Sequence, residues 1–480
     1  MKTRYTDWLW ALCISAALLL VCSKSSPMYL LNDWMDANIF FTTGKAMFSG
    51  RVLYRDVFDH KGPLLYALYG VGWLLHRTGF TGVWLLEVAS FTAFLSVSQA
   101  TVRRLTGPLH PGWMLVPAAA LLGAPMLAHG GSAEEFCLPF LAVGLWGMAV
   151  LWQSQRPLSL AAVLVQGAAA GCLLWLKYTA LGFCLVWVAA AAVLYARRGW
   201  LKTLPAACGA YLLGMGLATL PWLAYFVAHG ALDSLWEVYF YDNLFLYAGQ
   251  GGGPAALLQR LWWIAHDNPL PVLLFAAALL WALATGRRGL LALWAALAAG
   301  LAVTSLSGGG YLVYYGLVLG VFAPLGLVPL VKAWRNTAPR AALRRAAPAA
   351  ATALALVWCL WQNPNTARLG RKAEELPQLR FAQQIGGGTL LNYGTLDGGF
   401  YTASGAMPPC RFFCITNMPL PGQQQQQDAL LETAAVEYVV ALDGALDSRF
   451  PAYERVDEAA YDSGEGPRTW YLYRRIDLFA

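Results

Sequence analysis

Residues suited to chemistry crowd into one stretch of the chain, NDWMDANIFFTTGKAMFSGRVLYRDVFDHKGPLLY, which runs from Asn32 to Tyr66. Asp33 and Asp36 are three apart, so on a helix both carboxylates share a face. Two acids so placed could bind a cation, position a hydroxyl or take its proton. They could equally form an acidic N-terminal turn, favoured by the helix dipole. The residues after them have helical spacing and stop at Gly50, a C-cap. Further on, His60 and Lys61 precede Gly62-Pro63 and an apolar run. The Lys61 ammonium suits a lipid phosphate, and the proline fixes the start of a helix. The bland alternative is a lysine whose stem lies along the bilayer while its charge stays in water.

Polar residues elsewhere are sparse. Glu134 and Glu135 follow a Gly pair and precede an apolar run. Adjacent helical residues do not share a face, so at most one of them points into a common cavity. Both could also be first-turn glutamates held by the dipole. Lys177 stands alone among apolar residues, where it could meet phosphate, pair with one of these acids, or simply reach water. Glu87 lies inside an apolar run and needs an internal partner. No Ser-His-Asp or Cys-His arrangement, phosphate-binding Gly-rich loop or dinucleotide fingerprint is present.

The elements that must position these residues follow from composition. The 480 residues are 58% hydrophobic and only 12% charged, with 21 Trp and a mean hydropathy of +0.49. A soluble domain carries about 25% charge. Hydrophobic runs ended by Arg or Lys recur at 8–21, 82–101, 112–128, 136–152, 158–175, 179–196, 203–228, 270–285, 290–304, 311–331 and 348–361. The chain reads as a polytopic α-helical membrane protein with about 11 transmembrane helices. The first run is a retained anchor, not a cleaved signal. With Lys2 and Arg4 in the cytoplasm, every tight basic cluster between spans falls on the cytoplasmic side, including the run from Lys332 to Arg345. This holds only if the apolar stretch 63–75 does not cross. It is short and is opened by Pro63, so it reads as a re-entrant or interfacial helix. The polar stretch 27–81 is then the first external loop. The net charge of +7 is explained by topology and does not point to nucleic acid.

After Trp361 the composition becomes ordinary. Residues 1–361 form the membrane domain, 362–374 a linker, and 375–480 a small extracytoplasmic α/β domain. Its strands are read at TLLNYG, FFCIT, EYVVAL and TWYLYRRI, with a low-complexity Gln loop at 423–427. Seven of the nine cysteines lie in or beside spans, where they act as small apolar residues. Three residues separate Cys410 from Cys414, and their spacing leaves a disulfide open.

The motifs Asp-x-x-Ile-Phe, Tyr-Arg-Asp, Phe-Asp-His-Lys-Gly-Pro-Leu-Leu-Tyr and Ser-x-Glu-Glu-Phe-x-Leu-Pro-Phe resemble those of bacterial relatives of protein mannosyltransferases and aminoarabinose transferases. These are GT-C, polyprenyl-phosphate-sugar-dependent glycosyltransferases. The resemblance is best from about Asp33 to Arg198. It implies a GT-C-like fold and transfer of a sugar from a polyprenyl-phosphate donor to an extracytoplasmic acceptor hydroxyl by inverting displacement, in a bacterial inner membrane. It implies Asp36 as catalytic base with Asp33 as its alternative, and Lys61 with His60 as donor-phosphate binders, Lys177 being a further candidate. Glu134 and Glu135 match the acidic second external loop, where a divalent cation (Mg or Mn) would draw on Asp36 and Glu135. Relatives often place a His before the Tyr pair at 314–315; Val313 stands here, which removes a polar role at that position.

Two rival classes are a transporter or flippase of a lipid-linked or polar substrate and a non-catalytic polymer-assembly subunit. A transporter predicts paired repeats and broken helices at the membrane midplane, and no repeat is evident between the two halves. The topology is testable. Reporter fusions near Arg104 should read cytoplasmic and fusions near Asp443 external. An external signal at Arg104 would make 63–75 a span and relocate the polar loop.

Overall fold

The computed structural model describes residues 2–337, 341–444, 446, 448–462 and 466–476. Two compact units emerge, and neither is continuous in sequence. The first comprises Met1–Ser23, Glu87–Ala224 and Ala248–Ala367. The second comprises Lys24–Leu86, Tyr225–Tyr247 and Arg368–Ala480. The first polar loop thus clusters with the C-terminal segment.

Several long apolar helices make this a multi-pass membrane protein. Among the described residues, seven segments are long and apolar enough to cross a bilayer, or up to eight if the bent pair Gly253–Asp267 and Pro269–Ala284 forms one span. That pair turns through 104°. Eleven spans were expected, and the difference has identifiable sources. The stretch 160–197 is two helices, α7 (Leu160–Lys177) and α8 (Leu181–Arg197), joined by a single 3-10 turn. Lys177 pairs with Glu134 at the start of α6 (Ala133–Gln153), whereas Arg198 donates to the carbonyls of Leu151, Trp152 and Ser154 at its end. The two helices thus run in opposite directions along α6. The arginine also satisfies carbonyls that the end of α6 leaves open. The runs at 112–128 and 348–361 contain the shorter apolar helices Pro111–Leu122 and Thr352–Gln362. Of the basic run from Lys332 to Arg345, Arg340 lies outside the described residues.

In the second unit, α2 (Met35–Phe48) and α3 (Pro63–Leu75) pack tightly together. Pro63 opens α3 as its sequence predicts, because a first-turn proline loses no hydrogen bond. Thirteen residues span about 20 Å, short of the ~30 Å hydrocarbon core. Gly50, at φ +93°, follows the end of α2 where a side chain would be strained. Gly44 allows the close approach of α2 to α3: a Cβ there would sit 2.6 Å from the Gly70 nitrogen and the Tyr66 carbonyl oxygen.

Another face of α2, the stripe Asn38, Thr42 and Lys45, is polar and buried. It docks on the C-terminal segment. Thr402 Oγ1 donates to Asn38 Oδ1 at 2.9 Å, and Thr42 Oγ1 donates to Asp397 Oδ2 at 2.7 Å. Lys45 Nζ donates to the carbonyls of Tyr401 and Ala406 at 2.9 and 2.6 Å. Burial lowers Lys45 to about 8, opposed by Asp397. Burial also pushes Asp397 up to about 6, against the pull of Thr42, Gly399 and Lys45.

The C-terminal segment carries a four-stranded sheet in the order β1-β2-β4-β3, formed by β1 (Leu390–Tyr393), β2 (Tyr438–Leu442), β3 (Tyr453–Asp462) and β4 (Pro467–Arg475). β1 and β2 are parallel; the other pairs are antiparallel. Leu391, Val439, Phe450 and Tyr473 share its core. Three of the expected strands are present, but FFCIT is not a strand and the Gln run is not a loop. Gln423–Gln427 lies in the helix Gly422–Glu432, and its amides take the place of a neighbouring strand. Gln426 accepts from Phe412 N–H, Gln423 accepts from Thr416 N–H, and Gln427 donates to the Phe412 carbonyl. Cys410 and Cys414 are free thiols.

Gly44→Ala tests the α2–α3 contact. Overpacking against backbone costs about 1–3 kcal/mol, more than the gain of up to ~1 kcal/mol from helix propensity. Thermal unfolding in detergent should therefore show a less stable protein. A more stable variant would mean that the helices are not in closed contact.

Candidate functional site

The polar residues singled out from sequence fall into two clusters, one in each unit. Asp33, Asp36, His60 and Lys61 belong to the second unit; Glu134, Glu135 and Lys177 belong to the first.

Asp33 and Asp36 do not share a helical face. Helix α2 begins at Met35, so Asp33 precedes it and only Asp36 lies in its first turn. The helix starts late because Asn32 Oδ1 already accepts from the Trp34 N–H at 3.1 Å, and Asn38 Nδ2 donates to the carbonyls of Asn32 and Trp34. These bonds hold the chain in an extended approach to the helix. The two acids consequently have different surroundings. Asp33 is buried and saturated: Lys24 Nζ lies 2.5 Å from Oδ1, and the Tyr461 hydroxyl from β3 donates to Oδ2. Asp36 is half-buried at the positive end of the helix dipole, and its charge acts on His60.

The Asp59–Lys61 turn is locked from several sides. Tyr66 Oη donates to Asp59 Oδ2 at 2.8 Å and accepts from the Lys61 N–H at 2.8 Å. Tyr54 Oη donates to the Lys61 carbonyl at 2.5 Å, and Asn243 Nδ2 donates to that of His60 at 2.8 Å. Tyr54 holds φ +68°, a genuine outlier for an aromatic residue. Its ring stacks with Phe226, and Arg411 Nε donates to its carbonyl.

Within this frame His60 Nδ1 faces Asp59 Oδ1 at 3.2 Å, and Lys61 Nζ lies 3.1 Å from Nε2. Burial and the Lys61 charge lower the His60 pKa, although Asp59 and Asp36 oppose them. The ring is therefore neutral at pH 7, and its Nε2 lone pair accepts from the lysine. That leaves the ring proton on Nδ1, toward Asp59. Burial resists ionisation of Asp59, yet His60, Lys61 and Tyr66 together hold its carboxyl below the ordinary value. A buried carboxylate thus lies beside an imidazole whose Nδ1 makes no hydrogen bond, and the imidazole steers a half-exposed ammonium.

In the first unit, Glu134 and Glu135 point to different partners, as adjacent helical residues must. Ser132 caps α6 by accepting from the Glu135 N–H at 3.1 Å. Glu134 pairs with Lys177, whose ammonium also sits 4.0 Å from the centre of the Tyr315 ring. Glu135 Oε2 accepts from the Gly131 N–H at 2.9 Å, while its buried Oε1 has no hydrogen-bond partner. Glu87 finds its internal partner in Ser23, whose hydroxyl lies 3.0 Å from both carboxylate oxygens. Among the described residues, no group of three or more His, Cys, Asp or Glu side chains is placed to hold a metal ion.

Sequence reasoning missed Lys24, Tyr461, Tyr54 and Asn243. Lys24 carries a weak signal, a charge directly after the first apolar run. Tyr54 lies in the Tyr-Arg-Asp motif of the polar stretch itself, whereas Tyr461 and Asn243 reach the site from distant segments and carry none.

The charges differ in a way that stability measures. Lys24→Met leaves Asp33 buried without its countercharge and should cost about 3–5 kcal/mol. Lys61→Met removes a half-exposed charge and should cost under about 1 kcal/mol. Denaturation of both variants in detergent checks this, and equal losses would mean that Lys24 is not the committed partner.

No protein-family model matches the chain, and no curated protein matches its sequence. Solved structures do. The chain is similar to ArnT from Cupriavidus metallidurans bound to undecaprenyl phosphate, with a TM-score of 0.63 at 17% identity over 96% of this chain and 98% of that one. It is also similar to the same protein in its apo state, with a TM-score of 0.64 at 16% identity over 96% and 97% of the two chains. The architecture is accordingly ArnT-like, the GT-C-like fold that the sequence motifs imply.

Proposed function

We propose that the protein is a membrane glycosyltransferase that moves a sugar from a polyprenyl phosphate to an extracytoplasmic hydroxyl in a bacterial inner membrane. The observation that carries this reading is the Asp59–His60–Lys61 relay, which presents one steered ammonium in the same unit as the half-buried Asp36. The ArnT structure that holds undecaprenyl phosphate supports a lipid of that class.

Lys61 meets the donor phosphate, and its attraction grows as the sugar leaves and charge develops on the phosphate oxygens. Neutral His60 holds the ammonium without competing for the anion. Asp36 takes the proton of the acceptor hydroxyl as that oxygen attacks the anomeric carbon, with inversion. Asp33 is excluded from this role by its two partners and fixes the chain leading into α2. Glu134 occupies Lys177, which leaves Lys61 as the phosphate ligand. A divalent cation, Mg or Mn, would find in Glu135 a buried carboxylate oxygen, Oε1, without a hydrogen bond, which suits a hard cation.

The test uses purified protein, a polyprenyl-phosphate sugar and an acceptor, with release of polyprenyl phosphate as the readout. Asp36→Asn should lower turnover by roughly 10²–10⁴-fold while the donor still binds. Lys61→Met should weaken donor binding roughly ten- to a hundredfold and slow single turnover as well. Normal turnover in Asp36→Asn, with Asp33→Asn inactive, reverses the two assignments. Movement of the donor across the membrane without release of polyprenyl phosphate would favour a transporter.

A further inference from the structure

Three cations gather at one end of the first unit, where the helices Pro269–Ala284 and Leu327–Thr337 finish and the helix Arg288–Leu306 starts. The chain between Asp267 and Glu374 contains no acidic residue, yet Arg287, Lys332 and Arg335 fall within it. Lys332 Nζ lies 4.5 Å, and Arg287 Cζ 5.0 Å, from the centre of one ring, that of Trp281. Each placement has a local cause. The helix Pro269–Ala284 ends in a Schellman motif: Gly286, at φ +70°, donates its N–H to the Leu283 carbonyl at 3.0 Å, and the Arg287 N–H reaches back to that of Ala282 at 2.8 Å. This folds Arg287 over the last turn, which carries Trp281. Arg335 follows Lys332 by three residues, so the two share a face of their helix. The Arg335 guanidinium donates to the carbonyls of Thr106 and Pro108, which holds it in place but leaves its charge uncancelled.

Like charges so placed repel, and both arginines bear on the Lys332 charge. The indole face and the helix C-terminus offset part of that cost, but neither supplies a full counter-charge. No ion pair among the described residues involves Arg287, Lys332 or Arg335. Asp7, by contrast, is committed to Arg103 at 2.7 Å. Leu280, Leu283 and Leu330, in the same helices as Trp281 and Lys332, are exposed. Uncancelled positive charge therefore adjoins open apolar surface at the ends of apolar helices.

We propose that Arg287, Lys332 and Arg335 bind the phosphodiester headgroup of an anionic phospholipid, whose acyl chains run along Leu280, Leu283 and Leu330. A soluble phosphate would use the cations alone; a lipid uses the cations and the leucines together. The charge distribution puts this end of the helices in the cytoplasm, and basic pockets between helices on that side suit anionic headgroups. The inference does not depend on the proposed reaction.

The experiment titrates the purified full chain in detergent with phosphatidylglycerol, phosphatidylcholine or inorganic phosphate, and counts bound molecules by native mass spectrometry. Phosphatidylglycerol should bind in preference to phosphatidylcholine, whose choline cancels its phosphate, and inorganic phosphate should not displace it. Lys332→Gln should lower the affinity for phosphatidylglycerol about fivefold, and Arg287→Gln combined with Lys332→Gln about thirtyfold. Lys332→Arg keeps the charge and should keep the affinity. Arg197→Gln combined with Lys202→Gln removes two charges beside other helix ends and should leave it unchanged. Equal binding of the two lipids, parent-like affinity in the Arg287 and Lys332 double variant, or an equal loss in the Arg197 and Lys202 variant overturns the proposal, because the cations then serve topology alone. Displacement by inorganic phosphate overturns it as well, since the ligand is then a soluble anion.

Discussion

A buried ammonium sets the terms for the second unit. Lys45 has almost no contact with water, and its charge is tolerated because two carbonyls of the C-terminal segment accept from it while Asp397 lies nearby. Remove those acceptors and a charge sits in an apolar helix pair, which costs several kcal/mol. Helix α2 therefore needs the C-terminal segment in place. Its Gly44 face needs α3 just as closely. Held on two sides, α2 has little freedom to roll, and the position of Asp36 at its first turn is fixed by contacts well away from the acid itself.

The same economy appears in the Asp59–Lys61 turn. Tyr54, Tyr66 and Asn243 satisfy its backbone, and the strained φ of Tyr54 persists because its neighbours hold it. The consequence is a division of labour among similar groups. Asp33 and Asp59 are buried acids with dedicated partners, whereas Asp36 stays half-buried. Lys24 and Lys177 are spoken for by carboxylates, while Lys61 is steered by a neutral ring. What distinguishes these similar groups from one another is what surrounds them.

That distinction also marks how far the sequence could be read. Apolar runs, basic flanks and Pro63 carry the membrane class and the helix α3, because hydrophobic length and a fixed φ are local properties. Lys177 pairing with an acid, and the divergence of Glu134 from Glu135, were likewise within reach of helical geometry. The relation of Asp33 to Asp36 was not, since it turned on Asn32 and Asn38 delaying the helix by two residues. FFCIT looked like a strand because its residues are β-formers, yet Phe412 and Thr416 at its two ends bond to glutamine side chains from a run that composition alone marked as a loop. Tyr461, far along the chain, reaches Asp33 through the sheet, a relation that no spacing reveals.

The discontinuity of the second unit bears on the order of biosynthesis. Residues 24–86 leave the ribosome early, but the carbonyls that receive Lys45 and the hydroxyl that receives Asp33 come after residue 368. At roughly 5–20 residues per second, the ~280 residues between them take on the order of 15–60 s to make. Throughout that interval the first polar loop lacks its final partners, and a truncated chain would never acquire them. The last strands to be synthesised thus serve as a checkpoint: only a chain translated through to its sheet can set the early loop in its working shape.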